Sequence, residues 1–291
     1  MLGIKEIKVT VLLYLMTLAT FTVSCQKSEK TKLKRINTLS NHIGEISGIT
    51  SLSKNQLFAI NDSGNENILF QLNQEGEIIA EIKIPGTKNI DWEDLAYDHE
   101  NNIYIGDFGN NANDRKNLVI YKVSGILSNQ IAVSEIRFSL EDQKKFPPKK
   151  KNLNYDIEAF IYADESFYLF TKNRSSKFKG TTKLYKLAAT PGTHTAKIIG
   201  TYNTCNDSSD CFITSATINK TKDKIALLTY NKLFIISDFQ IDNVFEGSIQ
   251  KIRLGHYSQK EGVCFKNDSV VFITDEKTKH KKAKLYEYPL D

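Results

Sequence analysis

Six carboxylate residues recur at equivalent places along this 291-residue chain, at the edges of short apolar segments. Three glutamates begin such segments: Glu93, Glu158 and Glu261. Each copy of the pattern contains a second apolar segment, and in three copies that segment ends in an aspartate: Asp62, Asp107 and Asp275. Carboxylates that converge repel one another unless protons or a cation compensate, and Ca²⁺ prefers such oxygen ligands. We expect the glutamates to bind a metal, Ca²⁺ first, and the aspartates to include the residue that activates water if the protein is an enzyme.

Cationic and amide side chains accompany these acids. Asn61, Asn110 and Asn173 are further oxygen ligands for a cation. Four residues are expected to bind an anionic ligand: Arg115, Lys172, Arg174 and Tyr230. The other interpretation is that the acids cap strands, accept hydrogen bonds from loop amides, or pair with the lysine and arginines, as in many structural ion-pair networks. Both interpretations stay open from the sequence.

A repeat must position these side chains. Each copy contains a small or acidic residue, an apolar strand, a tight turn, a second strand with a polar end, a longer loop and a third strand rich in Leu and Tyr. The clearest copy runs from Asp91 to Val123. Five first strands begin at Ser47, Glu93, Glu158, Ser215 and Glu261. A fourth strand follows every copy except the last.

Repeated four-stranded antiparallel units predict an all-β fold, a β-propeller, which protects its sheet edges by closing into a ring. Residues 32–40 alternate as a strand does and are expected to close the ring beside residues 283–288. We predict five four-stranded blades, or six if a long linker contains another; an open β-sandwich is the alternative. First strands line the channel of a propeller, so the acids should meet at the mouth that carries the long loops.

The N-terminal segment resembles an export signal. Residues 1–25 contain Lys5, Lys8 and an apolar run, and they end in Ser24-Cys25, as in a bacterial lipobox, although Thr22 stands where Leu is usual. We expect residues 1–25 to be a signal peptide with Cys25 lipidated, residues 26–31 a tether, and residues 32–291 a single domain. An ordinary cleaved signal and a retained anchor are the alternatives. The expected product is a monomer, lipid-anchored in the bacterial cell envelope at the outer membrane or the periplasmic face.

The other cysteines agree with export. Cys205 and Cys211 flank a turn-prone loop and are expected to form a disulfide in an oxidising compartment; a metal pair is the alternative, but no further Cys or His is near in sequence. Cys264 is expected in the core. The formal net charge of +5 comes with lysine-rich loops, either solvated or attracted to anionic ligands and membrane surfaces. Export makes a nucleic-acid partner unexpected.

Several segments together resemble a known group of proteins. They are residues 61–76 (NDSGNENILFQLNQEG), 91–98 (DWEDLAYD), 103–123, 155–162 (YDIEAFIY), 182–187 and 260–265 (KEGVCF). These segments resemble the SdiA-regulated and esterase-like phytase group of exported bacterial β-propellers. The resemblance implies a propeller with a polar funnel, related in form to calcium-dependent phytases and to gluconolactonase and paraoxonase-like hydrolases. It supports five funnel residues: Asp62, Glu93, Asp107, Glu158 and Glu261.

The chain departs from that pattern at four repeat positions. Ser47 and Ser215 replace the acid at two first-strand starts, and Lys172 and Tyr230 end two second strands. The departures argue against a complete catalytic metal cluster. We therefore expect a binding protein whose long-loop face takes a small molecule, a glycan or a partner protein. The alternative is a Ca²⁺-dependent hydrolase of phosphate esters or lactones in the same funnel.

Overall fold

The structure, a computed structural model, describes residues 32–53 and 56–290. The expected signal segment with Cys25, and the tether that follows, lie outside the described residues. Within the described ranges, helix is limited to three short 3-10 turns: Asn41–Ile43, Lys150–Asn152 and Ile241–Glu246. No helix in these ranges is long and apolar enough to cross a membrane.

Twenty strands form nearly all of the regular structure in the described ranges. The chain begins with β1 (Lys34–Thr38), β2 (Ile46–Ser53), β3 (Gln56–Asn61), β4 (Ile68–Leu72) and β5 (Ile78–Lys83). It continues with β6 (Trp92–Tyr97), β7 (Ile103–Asp107), β8 (Leu118–Ser124) and β9 (Ala132–Leu140). Next come β10 (Asp156–Ala163), β11 (Ser166–Lys172), β12 (Thr181–Ala188) and β13 (Gly192–Asn203). The last strands are β14 (Ser215–Ile218), β15 (Ile225–Leu228), β16 (Lys232–Ser237), β17 (Ser248–Arg253), β18 (Lys260–Asn267), β19 (Val270–Asp275) and β20 (Lys284–Pro289).

These strands form three sheets of four strands and one of eight. The four-stranded sheets have the orders β2-β3-β4-β5, β14-β15-β16-β17 and β1-β20-β19-β18. In the last of them β1 pairs with β20, from Lys34 opposite Glu287 to Thr38 opposite Lys284, as the sequence predicts for the N-terminal strand. The eight-stranded sheet joins β6–β9 to β10–β13, because β13 pairs in parallel with β9.

The first strands of the repeat surround a common axis. β2 contacts β6 and β18, β6 contacts β10, β10 contacts β14, and β14 contacts β18, so the inner strands close a ring. Second strands such as β7 and β11 are buried at every position because their sheets pack between neighbours. The outer strand β5 instead alternates between half-buried and exposed residues, and β17 also consists only of half-buried and exposed residues, so both have one face in solvent. The fold is all-β and propeller-like.

One side chain ties the inner strands together at the axis. The carboxylate of Asp94, on β6, is fully buried. Its Oδ2 accepts hydrogen bonds from the backbone N–H of Phe160 (3.3 Å) on β10 and of Ala216 (3.0 Å) on β14. Its Oδ1 accepts from the Leu95 N–H (2.9 Å) and the Ser215 hydroxyl (3.1 Å). We call this residue with its donors the Asp94 layer.

The layer reaches the two remaining inner strands as well. The Ser215 hydroxyl oxygen accepts the N–H of Val263 on β18 at 3.1 Å. On the other side, β2 lies so close that a Cβ on Gly48 would be 2.8 Å from the Cα of Asp94. Glycine is therefore required at position 48 by the approach of two backbones.

Replacing Asp94 with alanine should destabilise the fold severely. The substitution leaves two inter-strand amides and the Ser215 hydroxyl buried without an acceptor, and each orphaned buried group costs about 1–3 kcal/mol. We expect a loss of roughly 3 kcal/mol or more in the free energy of unfolding of the full chain, measured by urea denaturation. Asp114→Ala, at an exposed carboxylate, is the matched control and should change little. Equal losses in the two variants would contradict the role given to Asp94.

Candidate functional site

A cavity of about 200 Å³ lies on the long-loop face, where the inner strands begin. We call it the acidic cavity. It is lined by Ser47, Asp62, Glu93, Asn111, Glu158, Lys172, Arg174, Tyr230, Gln259, Glu261 and Glu276. Seven of the ten site residues expected from the sequence are therefore brought together here: Asp62, Glu93, Glu158, Lys172, Arg174, Tyr230 and Glu261.

Bulges in the inner strands aim the side chains into the cavity. The register between first and second strands slips at four equivalent places, which contain Ser47, Glu93, Glu158 and Glu261. A bulge leaves its extra residue outside the ladder and changes the direction of that side chain. Each of these four residues lines the acidic cavity, so a local irregularity repeated in four strands builds the site.

Two cations occupy one wall of the cavity and are already paired. The Lys172 Nζ lies 2.8 Å from Oε2 of Glu158, and Nη2 of Arg174 lies 2.9 Å from Oε1 of the same residue. Nε of Arg174 also donates to Oδ2 of Asp156 at 2.6 Å. Burial acts to raise the pKa of Glu158, but the two cations outweigh it and hold that pKa below its ordinary value. This wall is an ion-pair network.

A second group of acids consists of Asp62 and Glu93 in the lining and Asp91 beside it, and none of the three forms an ion pair among the described residues. Carboxylate oxygens of Asp62, Asp91 and Glu93 lie within 4.8 Å of one another. Glu93 is only 7% exposed, and no hydrogen-bond donor or ion-pair partner contacts its carboxylate among the residues described. Burial, and then repulsion from Glu158, raises the pKa of Glu93 well above its usual range. Burial, and then repulsion from Asp62, raises the pKa of Asp91 to about 7.

A third group of side chains completes the rim. The Tyr230 hydroxyl donates to Oε1 of Glu261 at 3.3 Å, and burial raises the pKa of Glu261 to about 7. Gln259 donates a hydrogen bond to Glu276. Burial, and then repulsion from Glu261, raises the pKa of Glu276 to about 9.

Three expected site residues do not line the cavity. Oδ1 of Asp107 pairs with Arg115 at 2.8 Å and accepts the Asp91 N–H at 3.1 Å, so this pair fixes the loop that leads into β6. Oδ2 of Asp275 accepts the Tyr286 hydroxyl at 2.8 Å. The structure thus places Asp107, Asp275 and Arg115 in contacts behind the acidic cavity.

Other residues of the site were not predicted from the sequence. Asp91 lies two residues before the aligned start of its first strand, and Glu276 lies one residue after the aligned end of its second strand, so the aligned positions did not include them. The acidic run of Asp91, Glu93 and Asp94 was the one local hint.

Cys205 and Cys211 form a disulfide in the structure, with Cα atoms 5.4 Å apart. Cys264 is a buried free thiol.

Comparison with solved structures finds several chains of similar fold. The PQQ-bound aldose sugar dehydrogenase of Streptomyces coelicolor matches with a TM-score of 0.51 at 9% identity, over 88% of this chain and 97% of that chain. A streptogramin B lyase matches with a TM-score of 0.46 at 15% identity, over 89% and 97%. A gluconolactonase of Xanthomonas campestris matches with a TM-score of 0.44 at 9% identity, over 81% and 69%. At such identities the first likeness concerns the fold alone.

The family follows from the sequence comparison. The family model for SdiA-regulated proteins matches residues 25–171, and the chain belongs to that family. This confirms the resemblance seen in the sequence. Comparison with curated proteins finds no match.

Because the pKa values of the acids at the cavity are raised, we predict that the stability of the cation-free protein falls as pH rises. The pKa values of about 7 for Asp91 and Glu261 and about 9 for Glu276 exceed the roughly 4 of an unfolded chain. The native state therefore keeps protons that the unfolded state releases. This stabilisation is complete below about pH 4, falls progressively as pH rises, and is fully lost once the pH has passed the native pKa values of about 7 and about 9. Thermal unfolding of the full chain in EDTA should show a falling midpoint across that range.

Amide variants test the origin of this slope. Asp91→Asn combined with Glu276→Gln removes two of the titrating groups and should flatten the dependence. Glu75→Gln, at an exposed glutamate far from the site, should preserve it. If the double variant keeps the original slope, Asp91 and Glu276 are not its source.

Proposed function

We propose that this protein is an exported, lipid-anchored β-propeller whose acidic cavity binds a divalent cation, Ca²⁺ first, and through it a small oxygen-rich ligand. The observation that carries the proposal is Glu93. Its carboxylate is buried, lacks a donor within the described ranges, and lines a cavity beside two further acids. A buried carboxylate in this state is costly unless a proton or a cation compensates it.

The distances favour Asp62, Asp91 and Glu93 as the protein ligands. Their oxygens are close enough to share one ion, and Ca²⁺ takes about six to eight oxygens, so positions remain for water and for a ligand. The sequence suggested Glu158 and Glu261 beside Glu93. Glu158, however, is engaged by two cations, and Glu261 accepts a hydrogen bond from Tyr230.

The lining indicates the class of ligand. Nearly every side chain that faces the cavity is polar, and the volume of about 200 Å³ suits a small molecule. The acids outnumber the lysine and arginine, so an anion would be repelled until a divalent cation is bound. A bound cation, with Lys172 and Arg174 on the facing wall, favours carboxylate, phosphate or hydroxyl oxygens.

Two observations support export. The disulfide between Cys205 and Cys211 is of a kind that persists in oxidising compartments, and residues 1–25 have the layout of a signal. Anchoring through a lipidated Cys25, at the outer membrane or periplasmic face, and a monomeric state are parts of the same proposal.

We also propose that the ring has five blades. Antiparallel pairing alone divides the eight-stranded sheet into β6–β9 and β10–β13. The parallel contact between Gly192–Ala196 and Ile136–Leu140 is then a bridge between the outer strands of two neighbouring blades.

Hydrolysis of phosphate esters or lactones is the second candidate function. The observation that favours it concerns Glu261, which lines the same cavity. Burial raises the pKa of Glu261 to about 7. A carboxylate with such a pKa is suited to general-base chemistry near neutral pH. Binding remains the main proposal because the cavity contains no complete catalytic motif among the residues described.

Calcium should stabilise the full chain by mass action. A titration into EDTA-treated protein should raise the thermal midpoint saturably, since a ligand that binds only the native state at 100 times its Kd adds about 2.7 kcal/mol. Glu93→Gln removes the charge while keeping the shape, and should abolish most of this rise. Glu246→Gln makes the same chemical change at an exposed glutamate and should leave it intact.

Two results would contradict the cation site: no saturable rise in the unaltered protein, or a full rise in Glu93→Gln. The loaded protein can then be screened with phosphate monoesters, lactones and sugar acids. Turnover that is lost in Glu261→Gln would establish the hydrolase, whereas stabilisation by sugar acids without turnover supports binding.

A further inference from the structure

A second cavity, of about 300 Å³, opens at the opposite end of the inner strands, on the face with the short loops. We call it the lower cavity. It is lined by Leu52, Tyr97, Asp98, His99, Asn101, Tyr162, Ile218, Asn219, Lys220 and Lys222. The proposed cation site uses none of these residues, so the lower cavity is a separate space.

The order of residues along the inner strands shows the separation. On β6, Glu93 lines the acidic cavity, Asp94 forms the central layer, and Tyr97 lines the lower cavity. Between them a narrow apolar neck of about 10 Å³ is lined by Leu95, Phe160 and Ala216, among others. The neck shares Tyr97, Tyr162 and Ile218 with the lower cavity. The lower cavity is therefore a pocket that narrows into an apolar neck below the Asp94 layer.

The walls of this pocket are aromatic and aliphatic. The ring of Tyr162 stacks on Tyr104 with centroids 5.2 Å apart, and its edge meets Phe167 at 5.8 Å, so its orientation is fixed. Leu52 and Ile218 are buried beside the two tyrosines. No hydrogen bond engages the hydroxyl of Tyr97 or Tyr162 within the described part of the chain, which leaves two donors for a ligand.

The available charge at the rim is positive. The Lys220 ammonium donates to the Leu52 carbonyl at 3.0 Å, and no described carboxylate lies within ion-pairing distance of it. Lys222, by contrast, pairs with Asp164 at 2.8 Å. His99 adds a second basic side chain to the rim.

The acid of the lining and one of its two amides are already engaged. The carboxylate of Asp98 accepts the N–H groups of Glu100 (2.9 Å) and Asn102 (3.0 Å) and the hydroxyl of Tyr104 (2.8 Å). The side chain of Asn219 is hydrogen-bonded to Asp223 and to Asp268. These two residues build the loops, and Lys220 and the tyrosine hydroxyls are left to meet a ligand.

We propose that the lower cavity binds a small aromatic carboxylate. The aromatic ring lies against Tyr97, Tyr162 and Ile218, since tyrosine faces favour offset or edge contacts with another ring. The carboxylate meets Lys220 through a charge-assisted hydrogen bond. The combination of apolar walls, a few convergent donors and this volume is typical of the smaller ligand pockets.

Benzoate is the probe that tests this site. Calorimetric titration of the full chain should detect benzoate binding in both EDTA and Ca²⁺, because the proposed cation lies beyond the Asp94 layer. Benzyl alcohol, which lacks the charge, and cyclohexanecarboxylate, which lacks the flat ring, should both bind more weakly. Lys220→Gln should weaken benzoate binding by roughly tenfold.

Lys224→Gln is the matched control for that variant. Lys224 lies on the same loop, bonds to the Asp268 carbonyl at 3.1 Å and does not line the cavity, so the change in net charge is identical. Ile218→Trp should fill the pocket and abolish binding while the Ca²⁺-dependent thermal shift persists. The proposal is overturned if benzoate does not bind, if the two lysine variants weaken binding equally, or if Ile218→Trp still binds.

Discussion

The carboxylate of Asp94 is the constraint on which the rest of the structure depends. Burial raises its pKa well above the usual range, and the amides of Ala216, Leu95 and Phe160 and the Ser215 hydroxyl act against that rise. Breaking one of these bonds leaves a buried donor without an acceptor, at a cost of about 1–3 kcal/mol. The bonds run from β6 to β10 and β14, so these strands cannot slide past one another. The Asp94 layer thereby fixes the depth at which the channel changes from polar to apolar.

The bulges above that layer bring acidic side chains close together in the cavity. Because the inner strands are fixed, the side chains of the bulge residues Glu93, Glu158 and Glu261 point into the cavity. Lys172 and Arg174 neutralise the Glu158 side, whereas Asp62, Asp91 and Glu93 form no ion pair with any lysine or arginine in the described part of the chain. The same geometry that brings these acids together also raises their pKa values. The divalent cation of the proposed function would therefore compete with protons for one set of oxygens.

The periodicity of the sequence predicts the strands and their order, but it does not predict the direction in which an individual side chain points. Alternating apolar segments gave the strands, their order, and the pairing of β1 with β20, and the aligned starts placed Glu93, Glu158 and Glu261 together. Asp107 occupies a repeat-equivalent position as well, yet it contacts Arg115 instead, because the direction of a side chain at a strand end depends on the local register. Asp94 was overlooked because its inter-strand partners come from two strands that are distant in sequence, β10 and β14. Asp91 was overlooked because it lies two residues before the aligned start of its first strand, outside the positions that were compared.

The two cavities raise the question of whether their occupants influence each other. Both are built on the same inner strands, so coupling between them would have to pass through the Asp94 layer and would be reciprocal. Transmission requires an element with two arrangements of similar free energy. The layer instead has its donors and acceptors matched, a glycine contact at Gly48 with no room to shift, and an apolar neck beneath it. The channel of this propeller is therefore expected to hold two independent sites, one governed by cations and pH and the other by aromatic contacts.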